Sequence, residues 1–246
     1  IMKTLITGST GFLGSAVLRE LLDDGRELKV LVRKDSDTTN IDGLDVEIAY
    51  GDLRDSESIR SALNGCDILY HVAAYYSLWD RDQQLIYEIN VEGTRKILQA
   101  AKEKGLEKIV YTSTVGCIGL NEDQTPATEN TFFNKNTLSN DYKKSKYQAE
   151  QVALEFAKND LPVVIVNPST PVGPRDIKPT PTGKIILDFL NRAMPAYLDT
   201  GLNLIDVKDC ARGHILAEQK GIPGERYILG NQNMSLLDIL ISLEKI

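Results

Sequence analysis

The sequence predicts an α/β fold built on a doubly wound parallel sheet with helices on both faces. Short β-branched runs alternate with amphipathic helical segments along the chain as far as Pro168. Strands separated by helical crossovers pair in parallel, because a tight hairpin can join only antiparallel neighbours. A glycine-rich turn also joins the first strand to the first helix, and 246 residues suffice to bury a large core.

The core elements follow in a regular order. They are the strand MKTLIT, a helix over residues 12–24, the strands LKVLVR and VEIAYGD, a helix near residues 56–63, the strand DILYHVA, a long helix ending at Lys104, the strand KIVYTST, a helix containing Tyr142, and the strand PVVIVNP. Residues 1–167 therefore form the predicted core, to which residues 203–220 return.

A smaller, interleaved lobe is predicted for residues 168–246. Pro and Gly punctuate a long connection after Pro168, and helices are expected over residues 184–194, 207–220 and from 235 onward. The apolar helical pattern LLDILISLEKI reaches Ile246 without a Gly or Pro stop signal. We therefore expect the lobe to be incomplete at its C-terminal end.

Composition excludes several classes of protein. Hydrophobic residues make up 42% and charged residues 26%, and the net charge is -7, which fits neither a disordered chain nor the basic surface of a nucleic-acid-binding protein. No apolar run approaches the ~20 residues of a membrane-spanning helix, and the N-terminal apolar stretch is too short for a signal peptide. Cys66, Cys117 and Cys210 lie far apart and form no disulfide or zinc pattern. We expect a cytoplasmic protein.

The segment TGSTGFLG places Gly8, Gly11 and Gly14 between the first strand and the first helix. Glycines are needed in such a turn because the backbone must approach a pyrophosphate and the helix must pack closely on the strand. The alternative is a structural turn without a ligand. The strand before the turn and the helix after it favour dinucleotide binding, and therefore a Rossmann-type core.

Arg33 ends the second strand, where an acidic residue usually holds the ribose hydroxyls of NAD. A guanidinium suits the 2′-phosphate of NADP instead, so the sequence favours NADP, although Asp35 or Asp37 could still serve NAD. The alternative for Arg33 is a solvated residue at a strand end. Asp52, after the third strand, is predicted either to contact adenine or to cap the following helix.

Hydroxyl groups follow the fifth strand in the segment YTST, residues 111–114, at the sheet edge where ligands of such folds bind. Tyr142 and Lys146 lie four residues apart and share one face of their predicted helix. A hydride acceptor needs a proton donor near its developing alkoxide, and a nearby cation favours the phenolate of a tyrosine. We therefore predict that Tyr142 exchanges the proton, Lys146 supplies the cation and Thr114 polarises the substrate oxygen.

These motifs, with GDL, HVAA, YKKSK and NPSTPVGPRD, make the sequence similar to the extended branch of the short-chain dehydrogenase/reductases, in the NAD-dependent epimerase/dehydratase superfamily. The likeness covers nearly the whole chain. Through VNPSTPVGPRDIKPTPTG and MPAYLDTGLNLIDVKDCARGH, it most resembles hopanoid-associated sugar epimerases and dihydroflavonol-4-reductase-like proteins. Many nucleotide-sugar epimerases have Arg in an RxxNxYGP pattern where this chain has Asn167, which is closer to the reductase pattern.

The resemblance implies roles for particular residues. Tyr142 would be the catalytic acid/base, Lys146 would bind the nicotinamide ribose and lower the tyrosine pKa, and Thr114 would be the third catalytic member, with Ser113 as the alternative. The implied cofactor contacts are Gly8, Thr10, Gly11, Phe12, Leu13, Gly14, Arg33, Asp52, Leu53, Ala73, Ala74, Tyr142, Lys146, Pro168 and Ser169. Asn90 resembles a structural asparagine beside the active site, and the alternative is an ordinary polar helix residue. A homodimer through paired long helices is usual in similar proteins.

Four other polar residues have open interpretations. His71 and His214 lack metal-ligand neighbours at suitable spacing, so we expect both to be structural and expect no metal site. Arg175 and Lys178 could meet an anionic substrate, but a solvated loop explains them equally well.

The leading functional hypothesis is an NADP-dependent oxidoreductase that acts on a carbonyl or alcohol of a small molecule, with Tyr142 exchanging the proton. One alternative is a nucleotide-sugar epimerase or dehydratase with tightly held NAD, and another is a non-catalytic NADP sensor. The retained Tyr142 and Lys146 favour an enzyme over a sensor. Tyr75, Tyr76 and Trp79, after HVAA, are predicted either to pack internally or to form a substrate wall.

Overall fold

The computed structural model describes residues 2–76, 83–123, 125–131, 133–134, 138 and 140–245. The strands are β1 (Lys3–Thr7), β2 (Glu27–Val32), β3 (Glu47–Tyr50), β4 (Ile68–His71), β5 (Lys108–Thr112), β6 (Val163–Pro168), β7 (Thr170–Val172), β8 (Gly201–Asp206), β9 (Arg226–Leu229) and β10 (Gln232–Ser235). The α-helices are α1 (Phe12–Asp23), α2 (Ser56–Ala62), α3 (Gln83–Tyr87), α4 (Thr94–Lys104), α5 (Asp141–Lys158), α6 (Pro181–Leu190), α7 (Val207–Lys220) and α8 (Leu236–Glu244). None of these described helices is long and apolar enough to cross a membrane.

Seven strands form one parallel sheet in the order β3-β2-β1-β4-β5-β6-β9, which confirms the predicted doubly wound fold. β1 pairs with β2 on one side and with β4 on the other, so the direction of winding reverses between β1 and β4. In such sheets ligands bind beyond the carboxyl ends of the strands at this switch point. The fold therefore creates a crevice beside Thr7 and His71, the last residues of β1 and β4.

Helices on both faces enclose two hydrophobic cores. α1 packs against α7 over one face, where Leu18 and Ile215 are buried. α4 packs against α2 and α5 over the other face, where Leu98 and Ala153 are buried. Both faces of the central strands are therefore covered, which explains why their sequences are apolar runs without alternation.

The long helix that was predicted to end at Lys104 is interrupted by another helix type. Residues Glu88–Gly93 form a π-helical turn between α3 and α4. Such turns are inserted where an additional residue must be accommodated, frequently at functional sites. Hydrophobic periodicity predicted the end of the helix correctly, but the pattern does not reveal a local change in helix type.

The smaller lobe contains a three-stranded sheet in the order β10-β8-β7 and the helices α6 and α8, which contact each other. α7 has the predicted bounds, but α6 begins and ends earlier than the predicted residues 184–194. The Thr180 hydroxyl caps the first turn of α6 and Pro181 occupies its first position, while Arg192 adopts a positive φ of 57° beyond its end. The strand β9, which adds residues 226–229 to the main sheet, was not predicted from the sequence.

Candidate active site

One cavity of about 470 Å³ lies at the carboxyl edge of the main sheet, over the switch point. Every residue that the sequence analysis assigned to the cofactor or to catalysis lines it, from the glycine-rich turn through Arg33 and Asp52 to Thr114, Tyr142, Lys146 and Ser169. The structure therefore brings together residues that are up to 161 positions apart in the sequence, from Gly8 to Ser169. Their individual roles stay predictions.

The glycine-rich turn has no room for side chains. Gly8 has a φ of +78°, and a Cβ atom there would lie 2.7 Å from the backbone nitrogen of Ala73. A Cβ atom on Gly14 would lie 2.0 Å from the Gly8 carbonyl oxygen, so only glycine lets α1 approach the turn this closely. The Thr7 hydroxyl accepts a hydrogen bond of 3.2 Å from the Ala73 amide. This bond joins the end of β1 to the segment after β4, where the cavity opens.

Arg33 is the cation at the far end of the cavity. Its side chain is half-exposed, and Ser36, which the sequence analysis did not identify, lines the cavity with it. Neither Asp35 nor Asp37 is among the lining residues. The Asp37 carboxylate instead accepts hydrogen bonds from the amide and hydroxyl of Thr39, which hold its pKa below the usual range. Of the polar residues that follow β2, Arg33 and Ser36 therefore line the cavity, whereas Asp35 and Asp37 do not.

Asp52 lines the cavity but does not cap the next helix, which corrects one of its two predicted roles. The cap of α2 is Asp55, whose carboxylate accepts the Glu57 amide at 3.0 Å. The Asp52 carboxylate instead binds the guanidinium of Arg54 at 2.7 Å and 2.9 Å, and these bonds lower its pKa. The sequence could not distinguish two aspartates three residues apart before the same helix.

Thr114, rather than Ser113, offers its hydroxyl to the cavity chemistry. The buried Ser113 hydroxyl donates to the carboxylate of Glu150. The Thr114 hydroxyl accepts a hydrogen bond of 3.2 Å from the Gly116 amide. Because a hydroxyl can accept and donate at once, Thr114 keeps its proton available for a substrate oxygen.

Tyr142 lies in the first turn of α5, which begins after Asn140 because the Asn140 side chain accepts the Lys143 amide at 2.8 Å. Burial raises the pKa of Tyr142 above its ordinary value, and the neighbouring Tyr76 adds to the effect. The two rings meet edge to face, with centroids 4.5 Å apart. The neutral phenol, a proton donor, is therefore the form that this environment favours.

Lys146 is buried one helical turn further along α5. Its ammonium donates to the Thr112 carbonyl at 2.8 Å and to the Tyr111 hydroxyl at 3.4 Å. Burial lowers its pKa to about 8. Desolvation is the largest influence on the pKa of Tyr142, and the hydrogen bonds of Lys146 go to β5, so the lowering of this pKa by Lys146 stays a prediction.

Other side chains of the YKKSK segment are outside the cavity. Lys143 and Lys144 are exposed, as their helical positions predict. The Tyr147 ring stacks on Phe133 with centroids 4.6 Å apart. Tyr147 therefore packs against the surrounding chain, whereas Tyr142 faces the cavity.

Asn90, on the π-helical turn, fixes the loop after β4 to α5. Its amide donates 3.0 Å hydrogen bonds to the Tyr75 carbonyl and the Ser145 hydroxyl, and its side-chain oxygen accepts the Tyr75 amide at 2.7 Å. Tyr75 and Tyr76 both line the cavity, whereas Trp79 lies outside the described residues. Asn90 therefore has the structural role that the resemblance implied.

Both histidines are buried and hydrogen-bonded, and neither lines the cavity. His71 bonds to the hydroxyls of Thr7 and Thr94, and His214 bonds to the Thr112 hydroxyl and the Cys210 carbonyl. Burial lowers the pKa to about 3 for His71 and to about 4 for His214. The described part of the chain contains no cluster of His, Cys, Asp and Glu that could hold a metal ion.

Arg175 and Lys178 lie on the loop between β7 and α6 and are not among the residues that line the cavity. Lys178 is 3.9 Å from the Asp37 carboxylate. Arg175 has a positive φ of 71°, and its carbonyl accepts a hydrogen bond from the buried Asn40 side chain. The exposed positions of both side chains favour the solvated-loop interpretation.

The cavity fits a nicotinamide dinucleotide. The cavity extends from the glycine turn, which would accept a pyrophosphate, to Tyr142. The buried hydroxyl of Ser169 has no hydrogen-bond partner among the described residues. An unpaired buried hydroxyl is costly, and a carboxamide would satisfy this one. The fold and the cavity thus define a Rossmann-type dinucleotide-binding enzyme with a tyrosine and a lysine at its reacting end.

The family assignment follows from comparison with known proteins. The sequence model of the NAD dependent epimerase/dehydratase family matches residues 4–230. The chain therefore belongs to this family, the extended short-chain dehydrogenase/reductases, which includes NAD(P)-dependent reductases, epimerases and dehydratases.

Individual relatives agree with this assignment. A putative dihydroflavonol 4-reductase from Synechocystis sp. is 50% identical over 245 residues, which cover 98% of this chain and 71% of the relative. Sterol demethylase protein B from Methylococcus capsulatus is 39% identical over 245 residues, covering 100% of this chain and 74% of the relative. The crystal structure of gox2253 superposes with a TM-score of 0.95 at 50% identity, covering 100% of this chain and 74% of that one. These relatives confirm the predicted likeness to dihydroflavonol-reductase-like proteins.

Proposed function

We propose that the protein is an NADP-dependent carbonyl reductase of the extended short-chain dehydrogenase/reductase family. The observation that carries the proposal is the convergence of Thr114, Tyr142 and Lys146 on one end of a cavity whose other end holds Arg33. The nicotinamide would supply the hydride. The protein's own residues would bind the cofactor, orient the carbonyl and deliver the proton.

Each of the three residues has a distinct part in this mechanism. The Thr114 hydroxyl donates to the carbonyl oxygen of the substrate and polarises it. The Tyr142 phenol, kept protonated by burial that raises its pKa, gives its proton to the oxygen as that oxygen gains negative charge. Lys146 binds the nicotinamide ribose and, as a buried cation, stabilises the phenolate that remains on Tyr142.

The preference for NADP rests on Arg33 and Ser36. A guanidinium and a hydroxyl are suited to a 2′-phosphate, and both line the cavity, while the nearby carboxylates of Asp35 and Asp37 do not. NAD is the alternative cofactor, because without a 2′-phosphate the half-exposed Arg33 would still have the Asp35 carboxylate 3.8 Å away as a partner.

Epimerisation is the second candidate function, because the matching family model describes epimerases and dehydratases. The position of Asn167 favours the reductase. Asn167 is completely buried, and its amide donates to the Thr114 carbonyl at 2.9 Å and to Glu150 at 2.8 Å. Its side chain is therefore engaged beneath the site and does not take the place of an arginine that would meet a sugar nucleotide.

The decisive experiment measures NADPH oxidation with a panel of ring ketones and aldehydes. We expect net carbonyl reduction, a loss of at least 100-fold in kcat for Tyr142→Phe, and a similar loss for Lys146→Met, since positioned proton transfer contributes about 10²–10⁴-fold. Tyr147→Phe on the same helix is the matched control and should leave kcat unchanged.

Three other outcomes would redirect the assignment. Wild-type rates in Tyr142→Phe would remove the proposed mechanism. Epimerised nucleotide sugar without net oxidation of cofactor would establish the second candidate. Cofactor binding without turnover of any substrate, unaffected by Tyr142→Phe, would indicate the sensor.

We further propose a cytoplasmic homodimer. Cys66, Cys117 and Cys210 are all buried free thiols, which supports a reducing compartment.

The outer faces of α4 and α5, the long helices that pair in similar proteins, form a surface groove with α2. Light scattering coupled to size exclusion would give twice the chain mass of 27.3 kDa if the homodimer forms.

A further inference from the structure

A buried carboxylate lies directly beneath the reacting end of the cavity. Glu150 follows Lys146 by one turn of α5 and has no exposed surface. Its carboxylate accepts hydrogen bonds from the Ser113 hydroxyl, from the Asn167 amide at 2.8 Å and from the Arg226 guanidinium at 3.2 Å. Nothing in the mechanism proposed above uses this group.

We propose that Glu150 is a positioning residue for the reductase site, which selects Thr114 as the hydroxyl presented to substrate and keeps Lys146 cationic. The inference rests on the proposed function, because it assigns roles relative to the same three residues. Glu150 is not among the residues that line the cavity, so it would act through its neighbours.

Selection of the hydroxyl follows from the hydrogen bonds. Ser113 and Thr114 are adjacent at the end of β5, and either could in principle serve substrate. Glu150 accepts the Ser113 proton and so removes that hydroxyl from the cavity chemistry. Through Asn167, which donates to Glu150 and to the Thr114 carbonyl, the same carboxylate also fixes the backbone that carries Thr114.

The electrostatic role follows from the charges that face Lys146. Tyr111 on β5, Cys117 on the turn after β5 and His71 on β4 are near it. Tyr142 lies four residues before it on α5. Burial raises the pKa of Tyr111 and raises that of Cys117 to about 12, and it lowers that of His71 to about 3. All these groups are therefore neutral at pH 7.

Among the described residues near Lys146, Glu150 is therefore the anion that stabilises its ammonium. Desolvation lowers the pKa of Lys146 to about 8, and the charge of Glu150 opposes that fall. Arg226, on β9, lies 3.2 Å from the Glu150 carboxylate and supplies the compensating positive charge.

The first test compares Glu150→Gln with Glu155→Gln, an exposed position on the same helix whose carboxylate lies 3.8 Å from Arg95. The readouts are NADPH affinity, measured by fluorescence from pH 6 to 9.5, and kcat for carbonyl reduction. In Glu150→Gln we expect kcat to fall about tenfold. We also expect the alkaline limb, the decrease of NADPH affinity and of kcat at high pH, to move about one unit to lower pH, because removing a nearby negative charge destabilises the Lys146 ammonium. Glu155→Gln should match the wild type in both profiles, and an unmoved limb in Glu150→Gln would overturn the proposal.

A second variant keeps the inference testable if Glu150→Gln does not fold. Arg226→Met leaves the carboxylate in place but removes its compensating charge, so the alkaline limb of NADPH binding should move to higher pH, opposite to the first variant. A limb that stays in place or moves to lower pH would overturn the proposal. Failure of the proposed reductase function would appear separately, as wild-type turnover in Tyr142→Phe, because the NADPH-binding readout needs no substrate.

Discussion

At the scale of single residues, the low pKa of Lys146 gives the enzyme a pH dependence. Burial lowers this pKa to about 8, so the cation is present below pH 8 and is lost as the pH rises through that value. Burial raises the pKa of Tyr142, so its phenol remains a proton donor throughout. We therefore expect kcat for NADPH-dependent reduction to be flat near pH 6–7 and to fall about tenfold per unit above pH 8.

Steady-state assays between pH 6 and 9.5 would measure this profile. Lys143→Ala, which removes an exposed lysine from the same helix, should leave the fall in kcat above pH 8 unchanged. A reduction rate that rises steadily through pH 8 would contradict the assignment of a required cation to Lys146.

Arg33 should determine the choice of cofactor. Replacing its guanidinium by a carboxylate in Arg33→Asp removes charged hydrogen bonds to the 2′-phosphate, each worth about 1.5–3 kcal/mol, and offers an acceptor for the ribose hydroxyls of NAD. We expect KM for NADPH to rise by about 10–100-fold and KM for NADH to fall. The matched control is Lys34→Asp, which makes the same charge change at the neighbouring exposed position; an equal loss there would mean that general charge, not Arg33, sets the preference.

At the scale of elements, the π-helical turn connects the substrate side of the cavity to α5. Asn90 carries that connection through three hydrogen bonds to Tyr75 and Ser145. In Asn90→Ala these buried and partly buried polar groups lose their hydrogen bonds to Asn90, so we expect the free energy of unfolding to fall by about 1–3 kcal/mol. We also expect kcat to fall more than the affinity for NADPH, because Tyr75 and Tyr76 line the substrate end.

Urea unfolding and steady-state kinetics would test both parts. Glu92→Ala on the same turn is the control, since its carboxylate makes only a surface ion pair of 3.5 Å with Arg95 and such pairs contribute little. If Asn90→Ala changed stability and kcat no more than Glu92→Ala, the turn would not position the cavity wall.

Short sequence patterns predicted the glycine-rich turn and the helix face that carries Tyr142 and Lys146. Gly8, Gly11 and Gly14 were found because glycines at this spacing between a strand and a helix form a local pattern, and Tyr142 and Lys146 because one helix face carries both. Each of these signals lies within about eight residues of sequence. The lobe strands were missed because they are three to six residues long and only partly buried, so their apolar patterns are weak.

At the scale of the whole molecule, the contact between Glu150 and Arg226 could not be predicted from the sequence, because the order of strands in the sheet brings the two residues together. Glu150 and Arg226 are 76 residues apart and meet because β9 lies beside β6, next to β5. No spacing rule links a helix glutamate to an arginine on an edge strand. We propose that Glu150 decides between Ser113 and Thr114 through its hydrogen bond to Ser113, which is why the sequence left that choice open.

The cavity itself can be tested on the intact protein without knowing the substrate. A ligand that binds only the folded state stabilises it by about 2.7 kcal/mol at 100 times its Kd, and for a chain of this size each kcal/mol raises Tm by about 2–4 °C. We expect NADPH to raise Tm by about 5–10 °C and NADH, at the same concentration, by less. Differential scanning fluorimetry would measure both, with Arg33→Asp reversing the order. Equal shifts would remove the preference for NADP, and the absence of any shift with either cofactor would mean that a dinucleotide does not occupy the cavity lined by Gly8 and Tyr142.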